Sequence, residues 1–234
     1  MQLFYNPSLD NSFKQFNFSQ EESKHIVKVL RKKEGDILKI TNGRGYQFEA
    51  KILDANYKKC KAQIINTEKT ILPLYTLHLA VAPTKMNDRF EWFLEKATEI
   101  GVTEITPIIC DHSERKIIKP ERLQKVLQAA MKQSLQTYLP KLNPLTTYNE
   151  FIKSSISDLK YIAHCENQEK VELKRCLSAD KDVIILIGPE GDFSNNEIQI
   201  AYDKGYVPVS LGKNRLRTET AAIYACTLVA IINN

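Results

Sequence analysis

The chain reads as an α/β protein, a parallel sheet covered by helices, preceded by a small β-rich domain. Three observations predict this. Val183-Ile184-Ile185-Leu186-Ile187 is a continuous, mostly β-branched apolar run, as suits a strand buried on both faces. From Leu77 onward, strand-like and helix-like stretches alternate. Before residue 70, short strand-like runs are separated by polar turns at the spacing of a small barrel.

Taken in order, Gln2-Leu3-Phe4-Tyr5 is a short strand, and Ser19 with Glu22 three residues on marks a helix start. That helix carries His25, Ile26, Val29 and Leu30 among Lys24, Lys28 and Arg31. Asp36 to Thr41 alternates partly, Asn42-Gly43-Arg44-Gly45 is a hairpin turn, and Tyr46 to Leu53 and Lys61 to Thr67 are further strands. Asn66 to Tyr75 contains Pro73 and lacks periodicity, so a boundary falls there, dividing a domain 1–70 from a domain 71–234. Leu77 to Ala82 is a strand; Phe90, Phe93, Leu94, Ala97 and Ile100 recur at helical spacing up to Gly101. Glu104 to Cys110 is the next strand, and Pro120 suits the first turn of a helix whose apolar face is Leu123, Val126, Leu127, Ala130 and Met131. Tyr161 to Cys165 is another strand, followed by a helix to Leu177.

The densest stretch is Asp182 to Ala222. Its apolar strand ends in Gly188-Pro189-Glu190-Gly191. Ser194 and Glu197 form a capping-box signature, and Gly205 is placed to end that helix. Val207 to Leu211 is a second strand, broken by Gly212. Arg215, Arg217, Thr218, Glu219 and Thr220 then lead into an apolar helix, Ala221 to Ile232. Two neighbouring strands would each end in a glycine-bearing loop, and ligands of open α/β sheets collect at the carboxyl ends of strands. Periodicity alone favours a Rossmann-like fold, yet neither GxGxxG nor GxxxxGK[ST] occurs.

Composition sets bounds. Hydrophobic content of 43% and charged content of 26% are those of a globular protein, and no apolar run reaches the roughly 18 residues of a membrane span. The N-terminus shows no basic-then-apolar secretory pattern. Five scattered cysteines, with no CxxC and no Cys/His cluster of zinc spacing, argue for a reduced cytoplasmic protein without a metal. Residues 1–70 hold 13 Lys+Arg against 8 Asp+Glu, whereas residues 71–234 hold 20 of each. The whole basic excess lies in the first domain, which points to a polyanionic partner there.

GPEGDFS (188–194) and LGKNRLRTETA (211–221) resemble the two signature loops of the bacterial small-subunit ribosomal RNA uridine-N3 methyltransferase family, of the SPOUT superfamily. HIVKVLRKKEGD followed by TNGRGY resembles that family's PUA-like N-terminal domain, and Glu95-Lys96 with EIGV, Ser113-Glu114-Arg115 and Gln133-Ser134 are also similar. Asp192 stands where glycine is common, and Asn214-Arg215 where Arg-Ile is more usual. The resemblance implies a trefoil-knotted parallel sheet in place of the Rossmann-like one, a homodimer, and S-adenosylmethionine as cofactor. It implies small-subunit ribosomal RNA, free or within the assembled subunit, as partner.

By the same resemblance the cofactor is held largely by backbone, at Ile187, Gly188, Pro189, Glu190 and Gly191, at Leu211, Gly212, Leu216, Arg217 and Thr220, and at His164, Cys165 and Glu166. His25, Lys28, Arg31 and Arg44 of the first domain, with Ser113, Arg115 and Gln133, are the candidate RNA contacts. Arg217 is the candidate catalytic group, stabilising an anionic uridine N3 or placing a phosphate, with Glu219 orienting it or accepting a proton. Valine at Gly188 or Gly212 is expected to weaken cofactor binding in a folded protein. Two other readings stay open: a non-catalytic RNA-binding or ribosome-assembly protein on the same scaffold, and a knotted methyltransferase acting on another RNA.

Overall fold

The computed structural model describes residues 2–233. Its contacts divide the chain into two units, residues 1–72 with 131–139, and residues 73–130 with 140–234. The segment Met131–Leu139, which the sequence reading left in the second domain, therefore belongs with the first.

The first unit contains β1 (Leu3–Tyr5), β2 (Gln15–Asn17), α1 (Gln20–Lys24), β3 (Ile37–Thr41), β4 (Tyr46–Asp54) and β5 (Lys61–Lys69). They form one sheet in the order β1-β3-β4-β5-β2, antiparallel except where β1 runs parallel to β3. Alternate residues turn inward: Phe4, Leu38, Ile40, Phe48, Ala50, Ile52 and Ala62 join Ile26 in a closed apolar core. Ser19 caps α1 as the sequence predicts, its side chain accepting from the Glu22 N–H. The helix then widens into a π-helical turn, His25–Val29. Arg31 stands just past it with φ of 54°.

The glycines of the β3–β4 turn have a second use. Gly45 N–H donates to the Thr137 carbonyl (2.9 Å), and a Cβ on Gly45 would lie 2.1 Å from the Tyr138 hydroxyl. Thr41 and Thr70 also bond Thr137 through their hydroxyls. The turn thus receives residues 137–139, which needs backbone-to-backbone approach that side chains would block.

The second unit begins with β6 (Leu77–Val81), α2 (Asn87–Ile100), β7 (Glu104–Ile109) and α3 (Pro120–Gln133). Two short strands follow, β8 (Lys141–Leu142) and β9 (Thr146–Thr147), then α4 (Tyr148–Ser154). β10 (Leu159–Ala163), β11 (Val171–Glu172), α5 (Leu173–Cys176), β12 (Val183–Ile187), α6 (Asn195–Asp203), β13 (Val207–Ser210) and α7 (Thr218–Asn233) complete it. The sheet runs β11-β13-β10-β12-β6-β7-β8, with β9 also on β7, and every pairing is parallel. β12, central in this order, is buried at all five positions, which is why its residues are all apolar.

Several boundaries differ from expectation. The strand expected at 161–165 lies at 159–163, so His164 and Cys165 begin the following loop. The helix expected before Leu177 is a two-residue strand and a single turn. α7 starts at Thr218, three residues before the apolar run, because polar residues populate its first turn. α4, not anticipated, opens on a complete capping box of Thr147 and Glu150 and buries Tyr148, Phe151 and Ile152.

Candidate active site

β10 pairs in register with β12 on one side and β13 on the other, so the carboxyl ends of three parallel strands lie together. Three loops leave them, at residues 164–170, 188–194 and 211–217. Two adjoining cavities open among these loops, of about 530 Å³ and 290 Å³. His164, Lys170, Leu211, Gly212, Lys213 and Asn214 line the larger; Ile187, Gly188, Pro189, Glu190, Asp192 and Arg217 line the smaller. Ala163, Cys165, Arg215, Leu216 and Ala221 line both.

The 188–194 loop is fixed by its own side chains. Asp192 has φ of 64°, a left-handed conformation in which glycine is easiest and Asp or Asn is tolerated. It is the position at which the resemblance expects glycine. Asp192 Oδ2 accepts the Cys165 N–H at 2.7 Å, and Oδ1 accepts the Phe193 N–H at 2.9 Å. The aspartate therefore ties the loop after β12 to the loop after β10. Glu190 Oε1 accepts the Lys85 N–H at 2.9 Å, His112 Nδ1 lies 3.0 Å from the Gly191 carbonyl, and Thr218 Oγ1 donates to the Gly188 carbonyl at 3.0 Å.

A second brace stands behind this loop. Ser194 and Glu197 form the predicted capping box of α6, and Glu197 does more. Its Oε1 accepts the Asp111 N–H at 2.9 Å and its Oε2 the Ser194 N–H at 2.8 Å. Ser194 Oγ donates to Asp111, and the Tyr148 hydroxyl donates to the Glu197 carbonyl. Burial of the Glu197 carboxyl raises its pKa above the ordinary glutamate value.

The 211–217 loop has none of this. Gly212 needs its φ of 130°, not space, since a Cβ there would meet nothing within 4 Å. Lys213, Asn214, Arg215 and Arg217 are exposed, and among the described residues no hydrogen bond or ion pair engages their side chains. The Arg217 carbonyl accepts the Ala221 N–H at 2.8 Å, so the first turn of α7 fixes its backbone.

On the third side His164 is buried, its Nε2 3.0 Å from the Tyr202 hydroxyl, which itself donates to Gln168. Burial, and then the Lys170 charge, hold its pKa below the ordinary histidine value. Burial raises that of the neighbouring Cys165 thiol.

Of the residues the sequence singled out, His164, Cys165, Ile187, Gly188, Pro189, Glu190, Leu211, Gly212, Leu216 and Arg217 line these cavities. Glu166, Gly191 and Thr220 do not. Thr218, not among the candidates, lines the smaller cavity and bonds the Gly188 carbonyl, whereas Thr220 is exposed. Glu219 is buried, lines neither cavity, and forms no ion pair with Arg217 among the described residues; its Oε2 has no hydrogen-bond partner. Ser113 is also buried, its hydroxyl accepting the Cys110 N–H in a turn. Arg115 donates to the Thr84 and Lys85 carbonyls.

The remaining candidates lie in the first unit. His25 Nε2 is 2.9 Å from Gln2 Nε2, Arg44 donates to the Leu9 carbonyl at 3.1 Å, and Lys28 and Arg31 are exposed, Lys28 with its Nζ over the Tyr57 ring. Gln133 ends α3 within the segment that joins this unit. Among the described residues no cluster could hold a metal ion, and no helix is long and apolar enough to cross a membrane.

The chain matches the model of the RNA methyltransferase domain over residues 70–230 and that of the RNA methyltransferase PUA domain over residues 18–65. It is 36% identical over 232 residues to ribosomal RNA small subunit methyltransferase E of Buchnera aphidicola subsp. Acyrthosiphon pisum, covering 93% of this chain and 88% of the relative. The crystal structure of a probable rRNA-methyltransferase from Porphyromonas gingivalis is similar with a TM-score of 0.93 and 38% identity, over 100% of this chain and 98% of that one. Ribosomal RNA small subunit methyltransferase E from Neisseria gonorrhoeae, solved bound to S-adenosyl methionine, gives a TM-score of 0.86 at 26% identity, over 100% of this chain and 98% of that one.

Proposed function

The chain belongs to the ribosomal RNA small subunit methyltransferase E family, and from that premise we propose that it transfers a methyl group from S-adenosylmethionine to N3 of a uridine in 16S ribosomal RNA. The observation that carries this reading is the pair of cavities enclosed by the GPEGDFS and LGKNRLRTETA loops at three adjacent strand ends.

The residues present suit the cofactor. The larger cavity lies within the roughly 300–1,000 Å³ of small-molecule sites. Leu211 and Gly212 line it beside Lys170, and Ala163, Leu216 and Ala221 supply apolar wall. When bound, S-adenosylmethionine supplies a methyl group already activated by its sulfonium charge, so the protein's work is alignment and charge stabilisation.

Arg217 is our candidate for the second task. It lines the smaller cavity, its backbone is held by α7, and its fork is free to meet an anion. A guanidinium stays protonated and pairs with a deprotonated uridine N3 or with a phosphate. Glu219 serves the helix instead, a carboxylate in the first turn facing the positive end of the helix dipole.

The same reading makes the protein a cytoplasmic homodimer whose partner is the small-subunit RNA or the assembled subunit, and gives the chain a trefoil knot. α7 leaves Tyr224, Ile231 and Ile232 exposed, an apolar set that a second copy would cover. The test is mass mapping of methylated uridine in ribosomal RNA from cells with and without this protein. One N3-methyluridine of the small subunit should disappear with the gene; an unchanged methylation map overturns the reading.

A further inference from the structure

In the first unit the chain from Ala55 to Cys60 turns between β4 and β5. Asn56 closes the turn: its carbonyl accepts the Lys59 N–H at 3.1 Å and its Oδ1 the Lys58 N–H at 2.9 Å. Beyond the turn, Cys60 is anchored, its N–H donating to Ser23 Oγ and its carbonyl accepting from Phe18. The tip is therefore rigid, and what it displays is Tyr57, a ring 43% exposed. Lys28 Nζ lies 4.7 Å from the ring centroid and Lys58 Nζ 5.8 Å.

Lys28 is placed there by a backbone irregularity. It belongs to the π-helical turn, which gives way to Arg31 in the left-handed region, where a side chain costs about 1–2 kcal/mol. Isolated π-turns and such strain recur at functional positions. Exposed Lys59 and Lys33 add charge close in sequence to Lys58 and Lys28, and Asp54 at the end of β4 is the carboxylate next to the turn, Glu49 and Glu68 lying further along the hairpin. A rigid aromatic ring among cations is what single-stranded nucleic acid meets in stacking sites: the ring takes a base and the cations take phosphates.

We propose that Tyr57, flanked by Lys28 and Lys58, is a stacking platform for an unpaired base of the RNA this protein methylates. The inference rests on the methyltransferase reading and adds a base contact that neither cavity supplies. Binding of the RNA then spends the two cation–ring contacts, as each lysine swings to a phosphate and the ring face passes to the base.

The test uses the full chain and a small-subunit ribosomal RNA transcript, with affinity measured against salt concentration. Tyr57→Ala should weaken binding about tenfold, the scale of one lost base–aromatic stack, with the salt slope unchanged. Tyr57→Phe should bind as wild type does, and Lys28→Ala should flatten the slope by about 0.7–0.9. Methylation of unmodified small subunits should show the Tyr57→Ala defect in KM and not in kcat. Equal losses in Tyr57→Ala and Tyr57→Phe would overturn the platform, as would affinity unchanged in Tyr57→Ala. A defect confined to assembled subunits would assign the tyrosine to a ribosomal protein, which also overturns it. Wild-type protein that methylates subunits without binding the transcript removes this inference alone; wild-type protein inactive on both removes the methyltransferase reading.

Discussion

Two of the three loops that bound the cavities, residues 188–194 and 211–217, are built oppositely. Residues 188–194 are held through Glu190, Asp192, Ser194 and the hydroxyl of Thr218, each bonded to backbone or side chain of another segment. Residues 211–217 carry three exposed cations and an asparagine with no side-chain partner among the described residues. A braced loop keeps its shape whether or not a ligand is present; an unbraced one can be ordered by it. The contrast assigns geometry to the first loop and adjustable charge to the second.

The largest expected effect tests the second loop. Arg217→Ala should lower turnover by about 10²-fold, the scale of one lost preorganised donor, with thermal stability and cofactor affinity nearly unchanged. Lysine at 217 should rescue in part, keeping charge without the planar fork. Arg215→Ala, at a residue lining both cavities, is the companion measurement; if it abolishes activity while Arg217→Ala does not, the roles are exchanged.

The braced loop should fail differently. Asp192→Ala removes two hydrogen bonds and leaves a Cβ in the left-handed region, so unfolding in urea should show a loss of about 2–3 kcal/mol. Asp192→Gly restores the backbone freedom alone and should lose about 1–2 kcal/mol. Alanine at Lys213 or Asn214 should stay within about 0.5 kcal/mol of wild type. A stability loss at Lys213 equal to that at Asp192 would erase the contrast.

Cofactor binding is best probed away from both loops. Valine at Gly188 is a poor probe, because a Cβ there would press on the Phe193 ring at 3.1 Å, and at Gly212 any side chain is strained. Ala221 lines both cavities from α7, so Ala221→Leu fills space without backbone cost. Calorimetry should show S-adenosylmethionine affinity reduced about tenfold in a folded protein; equal affinity would move the cofactor elsewhere.

The smallest effect concerns pH. The native pKa of His164 is depressed by burial and by Lys170, so its neutral form is favoured in the fold. Stability from this group is present above the unfolded value of about 6.5 and is lost as pH falls through the lower native value. Thermal midpoints of wild type should therefore drop more steeply on acidification than those of His164→Gln.

How much of this was legible beforehand depended on range. β12 and the α6 capping box were readable because a run of five apolar residues and a Ser-x-x-Glu spacing act locally. The start of α7 was misplaced because Thr218, Glu219 and Thr220 look like loop until helical geometry buries the first two. The Thr218–Gly188 bond spans thirty residues, and no local pattern announces it. The sequence shows Asp192 only as a departure from glycine; that its carboxylate joins the loops of two strand ends needs the fold. Tyr57 drew no notice, since a lone tyrosine in a turn becomes a platform only when a helix 29 residues earlier brings Lys28 over it.

The first unit takes its last residues, 131–139, from the far side of two strands and two helices. On the ribosome, domains usually close in order of synthesis. Here the amino-terminal sheet must wait, with the Gly45 N–H lacking its Thr137 carbonyl, until the chain has passed Leu139. A nascent protein of this topology cannot finish its first unit before residues 73–130 of its second have been made, and a gene cut at residue 72 strands the first unit's segment 131–139 on the fragment that carries the whole of the second.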